Sequence, residues 1–163
     1  MTDLRFPIEG YSLRAAGHDD RAYVMKCMEK SVLLSVPDDE AGLSGLWIDD
    51  VLSVTSIAMD SGMMRSEVFI LESGSESRGM LWMGISKDQF TCEETGYLLG
   101  LFVDEEIRGH GFGKALIGCA EDWCRMNGLV MMTLNVGSAN AANGFYRHLG
   151  FGERSAVMRK RLR

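Results

Sequence analysis

The chain has 163 residues, of which 46% are hydrophobic and 25% are charged, and its formal net charge is −6 at pH 7. This length predicts one domain, residues 1–163, with enough apolar side chains for a core. The negative charge argues against broad, sequence-independent binding to nucleic acid. The N-terminus is polar, and no apolar run approaches the ~20 residues that a membrane span needs. We therefore expect a cytoplasmic protein that binds neither nucleic acid nor membrane.

The N-terminal third of the chain predicts one strand and two helices. Residues 11–16 alternate enough for a short strand. Residues 21–36 follow two aspartates that suit a helix N-terminus, and Val24, Cys27 and Met28 form an apolar stripe at helical spacing. A second helix is predicted within residues 42–59.

The rest of the chain changes to strand-like periods and then alternates strand and helix. Strands are predicted at residues 67–72, 80–86, 95–103, 129–136 and 156–162. Helices are predicted at residues 114–128, with Ala115, Leu116, Cys119, Trp123 and Met126 as its apolar stripe, and at residues 138–150. Gly128 and Gly150 suit the ends of these two helices. The order of elements predicts an α+β or mixed α/β fold with a strand–loop–helix–strand unit at its centre.

The cysteines do not predict a metal site. Cys27, Cys92, Cys119 and Cys124 include no CxxC pair and no His/Cys cluster with the spacing of metal ligands. Their scatter, in a chain with 12 methionines, fits a reducing compartment.

A glycine-rich loop joins the predicted strand at 95–103 to the helix that follows. It places Gly109, Gly111 and Gly113 between Arg108 and Lys114. A strand, a glycine loop and a helix N-terminus form a geometry for anions, because backbone N–H groups converge there with partial positive charge behind them. A turn without a ligand is the alternative, but a turn alone rarely needs three glycines with a basic residue on each side.

Two common phosphate-binding patterns do not fit this loop. A P-loop needs GxxxxGK followed by Ser or Thr, but here Arg108 stands at the first glycine position and Ala115 at the hydroxyl position. A dinucleotide-binding GxGxxG pattern starting at Gly109 places Lys114 at its third glycine.

The pattern that does fit is Arg-x-x-Gly-x-Gly between a hydrophobic strand and a long helix, read from Arg108 to Gly113. A second segment, LNVGSANAANGFYRHLGF at residues 134–151, supplies a strand, an asparagine and a helix with a tyrosine. Together these segments resemble the GNAT superfamily, the acyl-CoA-dependent N-acyltransferases. The resemblance implies a largely antiparallel, twisted sheet of six to seven strands flanked by about four helices. It also implies that the sheet opens between its fourth and fifth strands, here residues 95–103 and 129–136.

The resemblance further implies acetyl-CoA as co-substrate, with no metal. Its diphosphate would bind the main-chain amides of residues 108–113, and its pantetheine arm would pair with the backbone of Leu101 and Val103 like an added strand. Asn140 would contact the pantetheine or cap its own helix, and the sequence leaves both open. The implied cofactor-binding residues are Leu101, Phe102, Val103, Arg108, Gly109, His110, Gly111, Phe112, Gly113, Lys114 and Asn140.

For catalysis, the resemblance points to Tyr146 as an acid beside the thioester sulfur. Glu94 is the candidate general base, with solvated loop charges as the alternative reading of Glu93 and Glu94. Tyr97 could orient an amine. An acyl-cysteine intermediate is a weaker alternative, since Cys119 lies on the apolar stripe of its helix and buried thiols are usually inert.

The predicted function is transfer of an acetyl group from acetyl-CoA to a primary amine by direct attack in a ternary complex. The acceptor would be a small-molecule, peptide or protein amine. One alternative is a non-catalytic CoA-binding module of the same fold, and another is a nucleotide-binding protein that uses the same loop. Dimers are common in the family, so a homodimer is among the expectations.

Overall fold

The computed structural model describes residues 4–35, 50, 53, 57, 65–158, 160 and 162. Apart from positions 50, 53 and 57, which are helical, the predicted helix within residues 42–59 lies outside the described residues. The described strands are β1 (Ser12–Ala15), β2 (Ser66–Ser73), β3 (Glu76–Lys87), β4 (Glu94–Val103) and β5 (Met132–Leu134). The described helices are α1 (Arg21–Leu33), α2 (Phe112–Met126) and α3 (Ala142–His148), and short 3₁₀ turns occupy His18–Asp20 and Glu105–Ile107.

The five described strands form one sheet in chain order, β1-β2-β3-β4-β5. The first three pairings are antiparallel, and β4 pairs with β5 in parallel through the crossover helix α2. The sheet is therefore largely antiparallel with one parallel pair, as predicted.

The two faces of the sheet carry separate apolar clusters because side chains alternate along each strand. On one face, Val24 and Cys27 of α1 pack with Met80 and Phe102. On the other, Leu116, Cys119 and Trp123 of α2 pack against the intervening strand residues. Met126, predicted to share the stripe of α2, is instead 60% exposed because it lies in the last turn of the helix.

The sheet opens between β4 and β5 at the position that the sequence predicts. The two strands pair only from Gly96 to Leu98 on β4, and the remainder of β4 has no partner on that side among the described residues. The β3–β4 register shifts between Trp82 and Met83, which leaves Leu99 as an extra residue in β4. Such a bulge bends its strand, so the bend and the end of the β4–β5 pairing coincide.

Both predicted glycine caps are confirmed. At the end of α2, Gly128 has φ 72°, and the N–H of Leu129 donates to the Cys124 carbonyl. At the end of α3, Gly150 has φ 93°, and the N–H of Phe151 donates to the Tyr146 carbonyl. Both are Schellman arrangements, in which a left-handed residue lets the chain turn back on the last carbonyls.

The C-terminal strand predicted at residues 156–162 is not formed among the described residues, and β5 is shorter than predicted. The sheet described here thus has five strands instead of six to seven. Val157 and Met158 are 97% and 93% exposed, so the segment buries almost no apolar surface to offset the entropy of ordering a strand. No helix among the described residues is both long and apolar enough to cross a membrane.

Candidate active site

A cavity of about 940 Å³ lies where β4 and β5 separate. Its described walls come from the end of α1, the open half of β4, the glycine loop, the end of β5 and the start of α3. Of the eleven predicted cofactor-binding residues, all except His110 line this cavity, together with Tyr146. Segments far apart in the chain are therefore brought to one site.

The glycine loop presents unused amide donors to this cavity. Gly109 and Gly111 have φ angles of 80° and 87°, a left-handed conformation that favours glycine. A Cβ at either position would meet no heavy atom within 4 Å, so the space in front of them is open. Gly111 is the N-cap of α2, and the first helical bond runs from the Ala115 N–H to the Gly111 carbonyl. The preceding N–H groups of α2 are thus free of intrahelical bonds and fit an anionic group such as a diphosphate.

Gly113 and Phe112 have packing roles that the sequence pattern does not reveal. A Cβ at Gly113 would lie 3.2 Å from Cζ of Phe145, so a larger residue there would press on the Phe145 ring of α3. The Phe112 ring is buried against Phe6 and Tyr11, with ring centroids 6.2 and 4.5 Å away. Phe112 can therefore offer a ligand its backbone but little of its ring.

Two cationic side chains lie close to the buried ring of Phe102. The Cζ of Arg108 lies 5.5 Å and the Nζ of Lys30 lies 5.6 Å from the ring centroid. Arg108 also donates from Nε to the Val103 carbonyl at 2.8 Å. Lys114 lines the cavity on the other side of the glycines. Arg108, which also lies 4.0 Å from the Glu105 carboxylate, and Lys114 therefore place a positive charge at each end of the loop, which suits a phosphate-bearing ligand.

The open half of β4 turns alternate main-chain groups toward the cavity. The Asp104 N–H donates to the Arg78 carbonyl beside β3, and antiparallel ladders alternate. The main-chain groups of Leu101 and Val103 consequently face away from β3. Since the Val103 carbonyl already accepts from Arg108, the N–H and carbonyl of Leu101 are the more accessible main-chain groups for a ligand.

Tyr146 places a phenol beside this open edge. Its ring is half-buried and packs edge-on against Phe145 and Phe151, with centroids 5.2 and 5.7 Å away. Burial raises the pKa of Tyr146 above its ordinary value, so the hydroxyl is protonated throughout the neutral range. The residue lines the cavity, so its phenol is a candidate proton donor there.

Asn140 lies just before α3 and also contacts the residues that follow α1. Its Oδ1 accepts from the Ala142 N–H at 2.9 Å, and its Nδ2 donates to Oγ of Ser35 at 2.8 Å. The N-cap of α3 is Ala141, so Asn140 bonds the first helical N–H from the residue before the cap, and its contact with pantetheine stays a prediction.

The structure does not bring Glu94, Tyr97 or His110 to the cavity wall. Glu94 begins β4 at its far end, where its 52% exposed side chain forms an ion pair with Arg65 at 2.7 Å. Tyr97 is half-buried near that end, and burial raises the pKa of its hydroxyl. His110 is exposed, with Nδ1 2.9 Å from the Arg108 carbonyl.

Sequence reasoning missed the contribution of α1 to the cavity. Its last turn and the residues just beyond it supply wall residues, which are Met28, Ser31, Val32, Leu34 and Ser35. The only local signal was the pair of serines four positions apart, Ser31 and Ser35, and such a pair has no specific meaning on its own.

The buried cysteines are poor nucleophiles in this environment. Burial raises the pKa of the Cys119 and Cys124 thiols to about 11, and a thiol rather than a thiolate is unreactive. The exposed Cys92 does not line the cavity. Within the part of the chain that the structure describes, no group of three His, Cys, Asp or Glu side chains could hold a metal ion.

Comparison with known proteins agrees with this geometry. A model of the acetyltransferase (GNAT) family matches residues 42–151, more than half of the chain. An uncharacterized N-acetyltransferase of Methanocaldococcus jannaschii is 41% identical over 58 residues, which span 35% of this chain and 26% of that protein.

Solved structures share the fold at low sequence identity. A putative acetyl transferase from Pyrococcus furiosus has a TM-score of 0.77 at 22% identity, over 93% of this chain and 99% of that one. The enzyme AAC(6′)-Iy, solved with a CoA-containing bisubstrate analogue, has a TM-score of 0.67 at 18% identity, over 94% of this chain and 98% of that one.

Proposed function

Because the chain belongs to the GNAT acetyltransferase family, we propose that it transfers an acetyl group from acetyl-CoA to a primary amine by direct attack within a ternary complex. One observation carries the proposal. The glycine loop, the half of β4 that has no described partner on the β5 side, and Tyr146 all line a single cavity. These are the parts that would hold the diphosphate, the pantetheine arm and the leaving sulfur.

In this proposal the amine nitrogen attacks the acetyl carbonyl carbon, the carbon–sulfur bond breaks, and the electron pair leaves with the CoA sulfur. Tyr146 donates a hydrogen bond to the developing thiolate and supplies its proton. The amine must lose a proton, since an alkylammonium with a pKa of ~10.4 needs about 4–5 kcal/mol to reach its neutral form at pH 7. Glu94, acting through water, stays the candidate base, although it forms an ion pair with Arg65 and is not among the residues that line the cavity.

The acceptor is proposed only as an amine class. The AAC(6′)-Iy complex contains an analogue that joins CoA to acetylneamine, which supports a site where coenzyme and amine are bound together. The net charge of −6 favours a cationic amine over an anionic one. Direct attack is supported over an acyl-cysteine route by the burial of Cys119 and Cys124.

Two glycines at opposite ends of α2 allow a matched test of the coenzyme site. Gly111 and Gly128 have φ angles of 87° and 72°, and a Cβ at either would meet no heavy atom within 4 Å. Gly111→Ala and Gly128→Ala should therefore impose similar backbone strain, about 1–2 kcal/mol each. Only Gly111→Ala should also weaken CoA binding, because its methyl group enters the space proposed for the diphosphate.

Isothermal titration with CoA measures this difference, and titration with ATP tests the nucleotide-binding alternative. Equal CoA affinity in both variants, or tight ATP binding without CoA binding, would contradict the proposal. An amine panel with detection of free CoA thiol tests transfer itself. CoA binding without turnover of any amine would favour the non-catalytic module.

A further inference from the structure

We propose that a hydrogen-bonded link between Ser35 and Asn140 joins α1 to α3 and thereby positions the Tyr146 hydroxyl in the cavity. This inference rests on the proposed function, in which that hydroxyl acts on the sulfur of CoA. Ser35 is then a positioning residue, since it acts through Asn140 and α3 and not on the reacting atoms.

Each polar atom of the link has a partner, which fixes the orientation of the two side chains. Asn140 donates from Nδ2 to Ser35 Oγ at 2.8 Å, while Ser35 Oγ donates to the Ser31 carbonyl at 3.1 Å. The Oδ1 of Asn140 accepts from the Ala142 N–H at 2.9 Å. Because only the amide oxygen can accept that N–H, the nitrogen is the atom left to face Ser35.

The backbone on both sides of the link is in close contact as well. A Cβ at Gly137 would lie 3.0 Å from the Ser35 carbonyl oxygen, so the loop before α3 packs directly on the end of α1. Asn143 donates from Nδ2 to the Gly137 carbonyl at 2.7 Å and to the Asn140 carbonyl at 3.0 Å. The loop is thus held in one conformation against α1.

Helix α3 depends on such contacts because it is short. It has seven residues and none of them is fully buried, and helices of this length are not stable in isolation. Phe145 anchors its middle against Gly113, and the Schellman turn at Gly150 ends it. The link to Ser35 adds an anchor at its N-terminal end.

The link also lies at the site. Ser35, Asn140 and Tyr146 all line the same cavity, and Tyr146 is one helical turn after Ala142, whose N–H the link holds. A displacement of about 1 Å in a reacting group can cost ~10²-fold in rate. Fraying of the first turn of α3 would therefore affect Tyr146 before it affected the glycine loop.

The test compares Ser35→Ala with Ser35→Thr, which keeps the hydroxyl, and with Ser12→Ala as a control. Ser12 donates to Glu72 at 3.3 Å at the opposite edge of the sheet. The Ser12→Ala variant therefore loses a side-chain hydrogen bond that is far from α3. Ser35→Ala should lower kcat about tenfold with little change in the KM for acetyl-CoA. Hydrogen exchange should accelerate in α3 and not in α2, and Ser35→Thr should restore both properties.

Combination with Tyr146→Phe separates positioning from a general loss of stability. If Ser35 acts through Tyr146, Ser35→Ala should reduce kcat no further once the hydroxyl is absent. Multiplicative losses in the double variant would overturn the inference, as would wild-type kcat in Ser35→Ala. An inactive wild-type chain would overturn the proposed function, whereas an active one that tolerates Ser35→Ala would overturn this inference alone.

Discussion

The phenol of Tyr146 is the residue whose surroundings best match a chemical role. Its ring packs against Phe145 and Phe151, and the residue lines the cavity. Tyr146→Phe keeps the ring contacts and removes only the proton donor. We expect kcat to fall by ~10²-fold with the Kd for CoA unchanged, as measured by steady-state kinetics and calorimetry. Unchanged kcat would remove Tyr146 from the mechanism.

The same residue predicts the shape of the pH profile. Because burial raises the pKa of Tyr146 above its ordinary value near ~10, loss of its proton should not limit kcat at any pH below about 10. The rate should instead rise with pH as more of the amine becomes neutral. A profile of kcat between pH 6 and 10 that falls above pH 8 would show that a different, more acidic group donates the proton.

At the scale of elements, the packing of α2 on β4 depends on one close contact. A Cβ at Gly96 would overlap Sγ of Cys124, and Gly96 lies where β4 pairs with Met132 of β5. Gly96→Ala should lower the free energy of unfolding by about 1–3 kcal/mol through overpacking. When the sulfur is absent, Gly96→Ala should cost less. The stability difference between Cys124→Ala and the double variant Gly96→Ala/Cys124→Ala should therefore be smaller than the difference between the wild type and Gly96→Ala.

Urea unfolding of the four chains measures this coupling. Gly118→Ala is the control, because Gly118 lies inside α2 and a Cβ there would meet nothing within 4 Å. It should be neutral or stabilising by up to about 1 kcal/mol. Additive losses at Gly96 and Cys124 would show that α2 moves away from β4 to accommodate the methyl group.

Elements set by local chemistry were predictable from the sequence, and those set by distant partners were not. Gly128 and Gly150 mark their helix ends because a left-handed residue is needed at that point of the chain. The tight packing at Gly113 comes from Phe145, which no spacing rule connects to it. Ser35 lines the cavity, and the residue that its side chain contacts there, Asn140, is likewise distant in sequence, 105 positions away.

The alternating pattern at residues 156–162 is a case in which a local pattern predicts a strand that is not formed among the described residues. Alternation states which side chains a strand would bury, but it does not supply a surface to bury them against. Arg154 pairs with Asp88 at 3.0 Å and lies over the Phe90 ring at 5.2 Å, so the preceding segment contacts the β3–β4 loop. Beyond it, Val157 remains exposed.

For the whole molecule, buried thiols on both faces of the sheet make the free energy of unfolding depend on pH in the alkaline range. Cys27 is a buried residue of α1, and Cys119 and Cys124 are buried residues of α2. Burial raises the pKa of each to about 11 from an ordinary value of 9.0. Between these values the unfolded chain loses thiol protons that the folded chain keeps, so the free energy of unfolding should fall as pH rises through this window.

Each buried thiol should contribute a slope of up to about 1.4 kcal/mol per pH unit. Urea unfolding under reducing conditions at several pH values from 8 to 11 measures the total, and Cys27→Ala should make it shallower. The exposed Cys92 supplies the matched control, since Cys92→Ala should leave the slope as it is. An unchanged slope in Cys27→Ala would mean that the α1 face admits water at alkaline pH, and that the two helical layers do not protect their thiols equally.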